Sequence, residues 1–399
     1  MTGLFTLLPG GSDSARAQTF PVAKDVRVGG DDRQTRFVMD FTGKVDVRAF
    51  TLADPYRVVL DLPQVTFRLP PKAGESGRGL IKAFRFGLVM QGGSRIVLDV
   101  NKPVRIEKAF VLDANDTQPA RLVLDLAAID REAFLRNLAL DNKTPPRIEP
   151  PRRDPLPARS SSDPRPIVVI DPGHGGIDNG TKAASGELEK TIVLDFALLL
   201  RDQLEKSGKY RVVMTRTDDT FVPLGERVRL ARSRQAALFI SIHADALRKG
   251  EGEAQGATVY TLSDTASDAE AARLAESENK ADAIAGLNLS AEPNDVADIL
   301  IDLAQRETRT FSTQFAHALV GEMKAAMRLH KHPMKSAGFV VLKAPDVPSV
   351  LVELGYVSNR EDLKAMISSN WRSRAAEAIA IAVDRFFAPR FAGAAAGAN

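Results

Sequence analysis

Two histidines stand where a histidine can do chemistry rather than fill a core. His174 follows the apolar run Val168–Ile170 and the turn Asp171-Pro172-Gly173 in VVIDPGHGGIDNG, and His243 closes the apolar run of LFISIHADA. Only five histidines occur among 399 residues, so the placement of each is informative. The glycines around His174 let the backbone turn tightly and are expected to leave the imidazole exposed in its loop. A neutral imidazole held at a strand end is a good metal ligand, above all for zinc. Catalytic zinc usually takes three protein ligands and keeps one position open, so a third His, Asp or Glu is expected nearby. Glu187 and Glu189 both stand where the next helix begins. With no cysteine in the chain, neither a thiol nucleophile nor a disulfide framework is available. No dinucleotide-binding, P-loop or Cys/His zinc-finger pattern occurs either.

These side chains need elements to position them. Ile167–Ile170 reads as a strand, and Glu189–Glu205 as a helix with Ile192, Phe196, Leu199 and Leu200 on one face. Tyr210–Thr215 is a second strand, Leu224–Arg234 a helix and Ala237–Ile242 a third strand. Strands alternating with helices predict an α/β domain with a largely parallel sheet. In such sheets ligands bind at the carboxyl ends of the strands, which puts His174 and His243 on one rim. The remaining histidines compete poorly for a metal. His317 lies mid-helix, and His330 and His332 fall between a helix and Pro333, where they read as a solvated loop pair.

The chain is longer than one core usually grows, so two domains are expected. Residues 1–19 read as a residual leader: Gly3–Leu8 is a short apolar core, and Ala15-Arg16-Ala17 has small residues at cleavage spacing. Its basic start is missing, so the leader reads as truncated. Residues 20–130 repeat one strand pattern as Arg36–Phe41, Arg57–Leu62, Arg95–Val100 and Arg121–Leu126, which predicts a small all-β sandwich. The repeated Arg and Asp are read as solvent-facing residues at strand ends, with a ligand-binding ladder as the alternative. Residues 131–165 form a linker, in which the Pro-, Arg- and Ser-rich run 142–166 is expected to be extended. Residues 166–390 are the second domain, and 391–399 a Gly/Ala-rich tail expected to be disordered. A formal net charge of +3 suits an anionic polymer or surface without arguing for nucleic acid. No apolar run approaches ~18 residues, so no transmembrane segment is expected.

Two resemblances sharpen this reading. Leu52–Leu62, in the pattern L-x-D-P-x-R-x-V-x-D-L, and Arg95–Pro103 resemble the AMIN domain, a septum- and peptidoglycan-targeting module of bacterial envelope proteins. DPGHGG (171–176), ELEKTIVLDFALLL (187–200), TRTDDTFVPLGERVRLA (215–231), FISIHADA (239–246) and SVLVELGYVSN (349–359), in that order, resemble the zinc-dependent N-acetylmuramoyl-L-alanine amidases. Together they are similar to the periplasmic cell-separation amidases. The resemblance implies an α/β zinc hydrolase domain, its mixed, largely parallel sheet flanked by helices, behind the AMIN-like β sandwich. It implies zinc ligands at His174, Glu189 and His243, with Glu189 chosen over Glu187 by the Lys that follows it, and a catalytic glutamate at Glu353. Glu353 ends the β-rich run Val350–Val352, so it reaches the same rim and could act as general base toward a metal-activated water.

The implied reaction cuts the amide bond between N-acetylmuramic acid and L-alanine of peptidoglycan. A zinc peptidase or carboxypeptidase of the wall and a silent wall-binding scaffold are the alternatives. The stretch between Ala257–Leu262 and the helix Phe311–Met327 is long for a loop, and 264–306 reads as a regulatory insertion. It is expected to hold a helix over 264–285 and a second over Asn294–Arg306. In the resembling family a helix here blocks the zinc cleft until an activator displaces it. Of Glu270, Glu276 and Glu278, Glu278 shares a helical face with Ala271 and Leu274 and is the expected inhibitory fourth ligand, with Glu276 next. The expected protein is a periplasmic, autoinhibited monomer that answers to an envelope activator protein.

Overall fold

The computed structural model describes residues 20–53, 55–89, 93–115, 117–141, 163–246, 254–286 and 299–396. Residues 1–19, read above as a leader, residues 142–162, read as linker, and the last three residues lie outside them.

Among the described residues nine strands come first: β1 (Val22–Gly30), β2 (Gln34–Phe41), β3 (Arg48–Leu52), β4 (Arg57–Pro63), β5 (Thr66–Phe67), β6 (Ile81–Val89), β7 (Gly93–Val100), β8 (Val104–Leu112) and β9 (Ala120–Ala128). The four sequence repeats lie on β2, β4, β7 and β9. Side chains alternate across a strand, so the apolar residues first, third and fifth after each repeat Arg point one way, and its Arg and Asp, with the valine between them, the other. Phe37, Met39 and Phe41, Val58, Leu60 and Leu62, Ile96 and Leu98, and Leu122, Leu124 and Leu126 fill the space between two sheets. The sheets run β5-β1-β2-β9-β8 and β12-β6-β7-β4-β3, with β12 (Thr220–Phe221) supplied by the second domain. Pairing of β2 with β9 sets Arg36 opposite Asp125 and Asp40 opposite Arg121. Pairing of β4 with β7 repeats the device, with Arg57 opposite Asp99 and Asp61 opposite Arg95.

Helix α1 (Arg131–Asp141) occupies the start of the span that composition assigns to the linker. Its Phe134 is buried edge-on against Tyr56, ring centroids 5.1 Å apart, an anchor that composition cannot show.

The second domain continues with β10 (Ile167–Pro172), α2 (Glu189–Lys206), β11 (Arg211–Met214), β12, α3 (Leu224–Ser233), β13 (Leu238–His243), β14 (Ala257–Leu262), α4 (Ala269–Glu278), α5 (Ala281–Ile284), α6 (Ile299–Ala326), β15 (Leu329–Ala337), β16 (Ser349–Glu353), α7 (Arg360–Ile367) and α8 (Ser369–Ala396). Its sheet runs β11-β10-β13-β16-β14-β15 and is parallel except where β14 meets β16. Both faces are covered, which is why the central strands are continuous apolar runs. Phe196 and Leu200 of α2, Phe315 and Leu319 of α6, and Ile379 and Val383 of α8 pack one face. Leu224 and Ala231 of α3 and Ala271 and Leu274 of α4 pack the other.

Several sequence expectations change in the structure. The helix expected over 264–285 is two helices, α4 and α5, separated at Asn279-Lys280. Of the helix expected over Asn294–Arg306, residues 294–298 lie outside the described residues; from Ile299 it continues into the next one as α6, because no Gly or Pro stands between Arg306 and Phe311 to stop it. His330 and His332 lie in strand β15, not in a loop. This is an edge strand whose pairing shifts register between Ala257 and Val259, and such a position tolerates Pro333. Helix α8 runs through Ala396, into the tail expected to be disordered, where alanines favour helix.

Candidate metal centre

Three strand ends and one helix start meet at a single point. His243 is the last residue of β13, paired in register with Glu353, the last residue of β16. His174 lies just past β10, in a backbone conformation with φ of +58° that non-glycine residues rarely adopt. Such strain is found where a side chain must be aimed. Gly173 lets this happen. A Cβ there would stand 2.4 Å from the His243 ring, so the loop can cross beneath that imidazole only without a side chain. Glu189 opens α2, where the helix dipole favours a carboxylate. The backbone N–H groups of Thr181 and Ala244 donate to its two oxygens, each at 2.9 Å.

The donor atoms face one another at uniform spacing. His174 Nε2 lies 3.1 Å and His243 Nδ1 3.3 Å from Glu189 Oε1. Glu278 Oε2, from the end of α4, stands 3.6 Å from His174 Nε2 and 3.2 Å from His243 Nδ1. A tetrahedron drawn about zinc at its usual ligand distances has edges of about 3.3 Å. His174, Glu189 and His243 form a buried group able to hold a metal ion, their ligand atoms within 4.8 Å of one another. Neither His174 Nε2 nor His243 Nδ1 makes a hydrogen bond among the described residues, and neither does Glu353 Oε1. Buried polar atoms are rarely left this way without a ligand to receive them. The donor set, two imidazoles and carboxylates with no sulfur, fits zinc.

Electrostatics point the same way. Burial disfavours a charged His174, yet the carboxylates of Glu189, Asp178 and Glu278 outweigh it and hold the imidazole well above its ordinary pKa. Burial pushes Glu278 up to about 7, with the two imidazoles opposing the rise and Glu189 and Asp245 reinforcing it. Glu353 is raised well above the usual carboxylate range by burial and by Glu189, Asp245 and Glu278. Acidic groups thus exceed basic ones at the focus, an imbalance that a divalent cation cancels.

The loop carrying His174 is not exposed as its glycines suggest. His174 is 8% exposed, and Gly173 to Ile177 are buried around it. The β domain and the insertion cover it: β6 pairs with β12 alongside, and Glu278, Asn279 and Ala281 line the cleft with both histidines. Residues that sequence reasoning missed hold this loop from below. Asp178 accepts from His174 Nδ1 at 2.8 Å, turning Nε2 toward the focus. Arg227 donates to the Pro172 and His174 carbonyls and pairs with buried Asp171 at 2.7 Å. Arg216 donates to the Pro172 and Gly173 carbonyls. Asp178 lies four residues past His174, a spacing that could have flagged it. The two arginines stand in TRTDDTFVPLGERVRLA (215–231), but nothing local says where they reach.

The other candidates sort themselves by position. Glu187 is bonded to Ser185, away from the focus. Glu276 is exposed and paired with Lys280 at 2.6 Å. Glu270 is bound by Lys335 and Tyr356. His317 is exposed on α6, and His330 and His332 bond to each other. The buried face of α4 is Ala271, Leu274, Ala275 and Glu278, the face its periodicity indicates.

Residues 168–385 match the family model of N-acetylmuramoyl-L-alanine amidase, and residues 25–126 that of the AMIN domain. The chain is 34% identical to the N-acetylmuramoyl-L-alanine amidase AmiC of Neisseria meningitidis, over 96% of this chain and 94% of that protein. It is 34% identical to AmiC of Escherichia coli O6:H1, over 91% of this chain and 89% of that protein. It is 39% identical to the amidase AmiA of Escherichia coli K12, over 58% of this chain and 79% of that protein. Among the classes weighed from sequence, these matches select the amidase over the peptidase and the silent scaffold. The chain belongs to the N-acetylmuramoyl-L-alanine amidase family, as a peptidoglycan amidase of the AmiC type with an AMIN domain ahead of its catalytic domain.

Proposed function

We propose that this amidase is zinc-dependent and autoinhibited, and that it cleaves the N-acetylmuramic acid–L-alanine bond during daughter-cell separation. The observation that carries the reading is that two buried histidine nitrogens, with no hydrogen bond among the described residues, each stand 3.1–3.6 Å from an oxygen of Glu189 and one of Glu278. His174, Glu189 and His243 hold the metal, and Asp178 orients His174. When bound, zinc supplies Lewis acidity, which polarises the scissile carbonyl and lowers the pKa of water. Glu353 is the general base. The Asp245 backbone N–H holds its Oε2 at 3.0 Å, which leaves Oε1 free toward the focus. It takes the proton of the attacking water and passes it to the leaving amine.

Glu278 is the inhibitory fourth ligand. It fills the position that catalysis needs open, and α4 covers the cleft that the substrate must enter. An envelope activator protein would displace the insertion. Every donor comes from one chain, so a monomer suffices. The AMIN match and the AmiC relatives support an envelope location, and no described helix is long and apolar enough to cross a membrane.

Digestion of isolated wall by the Glu278→Ala protein, zinc-loaded and then chelator-stripped, tests the reading. The loaded protein should release sugar-free peptides beginning at L-alanine, and stripping should abolish their release. Undiminished release after complete stripping would overturn the zinc reading. Release of only the peptides' carboxyl-terminal residues would overturn the bond assignment.

A further inference from the structure

The far end of the lid is gripped by the β domain, through arginines of the repeat and one beside them. Arg57 Nη1 on β4 donates to the Ala283 carbonyl, and Arg85 Nε on β6 to that of Ile284 at 2.7 Å. Arg95 Nη1 on β7 donates to Ala285 at 3.0 Å and to Gly286 at 3.2 Å. The Ile284, Ala285 and Gly286 carbonyls stand at the end of α5, where a helix leaves its last carbonyls without intrahelical partners, and that of Ala283 also accepts from the Gly286 N–H at 3.0 Å. Asp61 holds Arg95 at 2.6 and 3.0 Å, and Asp99 holds Arg85 at 2.6 and 3.2 Å, so both guanidiniums are aimed before the lid arrives. Gly286, with φ of +72°, lies flat on the sheet; a Cβ there would meet Val59 at 2.9 Å and Val97 at 3.0 Å. On the opposite sheet the same device faces solvent: the Arg36 side chain is 60% exposed beside Asp125, whereas that of Arg95 is 3% exposed.

We propose that the outer face of β4, β6 and β7 is an intramolecular binding surface whose occupant is the lid segment 283–286, so that the β domain clamps the inhibitory helix shut. The proposal rests on the reading of α4 as an inhibitory lid. The catalytic domain holds the other end, where Lys335 and Tyr356 bind Glu270 at 2.7 and 2.6 Å. Glu278 lies between the two anchorages, and its seat at the metal focus depends on both. The β domain is thereby a restraint on catalysis as well as a targeting module, and whatever draws this face away from residues 283–286 loosens the lid.

The full-length Arg85→Gln/Arg95→Gln protein tests this, with amide hydrogen exchange across 269–286 and dye release from labelled wall measured without any activator. Exchange there should quicken at least tenfold and dye release should rise severalfold. The matched pair Arg36→Gln/Arg121→Gln, on the opposite sheet, should leave exchange of 269–286 at the wild-type rate. If losing Arg85 and Arg95 unfolds the β domain, Gly286→Val makes the same test from the lid side. Wild-type exchange across 269–286 in a folded Arg85→Gln/Arg95→Gln or Gly286→Val protein would refute the clamp. Faster exchange without faster hydrolysis, while Glu278→Ala is active, would refute it as a control on the enzyme. A silent Glu278→Ala protein with full zinc would instead overturn the lid reading beneath it.

Discussion

Replacing Glu278 by alanine should raise basal wall hydrolysis by about 10- to 100-fold with no activator present. The magnitude follows from what the carboxylate touches. Its Oε2 is 3.2 Å from His243 Nδ1 and 3.6 Å from His174 Nε2, so it completes the donor set, and among the described residues no other bond of its side chain ties down the lid. Counting its bond to the metal at no more than a hydrogen bond to a charged group gives roughly 1.5–3 kcal/mol. At about 1.4 kcal/mol per factor of ten, removing it shifts the closed-to-open balance by one to two powers of ten. The shift is not larger because the lid keeps its other fastenings. Lys335 and Tyr356 still hold Glu270, Asn279 still bonds to Gly338 and Val340, and the β-domain arginines still hold residues 283–286. Deleting residues 264–306 removes these as well and should give a faster enzyme than Glu278→Ala. Zinc content should stay at the wild-type level in the point variant, because three protein ligands suffice. Dye release from labelled wall, with elemental analysis of the same samples, measures both. A zinc-loaded Glu278→Ala protein no faster than wild type, or a wild type as fast as the deletion, would refute the reasoning.

His243→Ala should lose both zinc and activity; full metal by elemental analysis would remove His243 from the ligand set. Glu353→Gln in the Glu278→Ala background should keep fold and zinc while hydrolysis falls at least ~10²-fold, the low end for a positioned proton-transfer group. Asp178→Asn should weaken zinc binding about 10- to 100-fold in a chelator competition, since it alters the group that orients His174.

The site was legible in the chain to the extent that its residues sit at the ends of strongly patterned elements. His174 and His243 follow apolar runs that could only be buried strands, and parallel α/β topology places such ends together. Glu278 was legible because helical periodicity alone puts it on the face of Ala271 and Leu274, the face that packs. What escaped depends on contacts between segments far apart in the chain. The DPGHGG loop looked exposed because glycines have no side chains to bury. It is covered by β6 and by the insertion, each about 90 residues or more away. Arg216 and Arg227 lie in the TRTDDTFVPLGERVRLA motif, where nothing local shows their reach, and both are buried against the loop's carbonyls. Arg57 and Arg95 look like strand-end charges and are equivalent in sequence to exposed Arg36. They are buried where residues 283–286 dock on them. Helix α1 was hidden because the composition of the linker outweighed Phe134, whose partner Tyr56 lies in the other half of the β domain.

The most direct test is a crystal structure of the zinc-loaded full chain beside that of its Glu278→Ala variant, with the metal located by anomalous scattering. One zinc should sit among His174 Nε2, His243 Nδ1 and the carboxylates of Glu189 and Glu278, at about 2.0–2.2 Å from each. In the variant, water should replace the fourth donor while the other three remain. Zinc bound elsewhere, or a zinc whose fourth position is already open in the wild type with Glu278 turned away, would contradict the account.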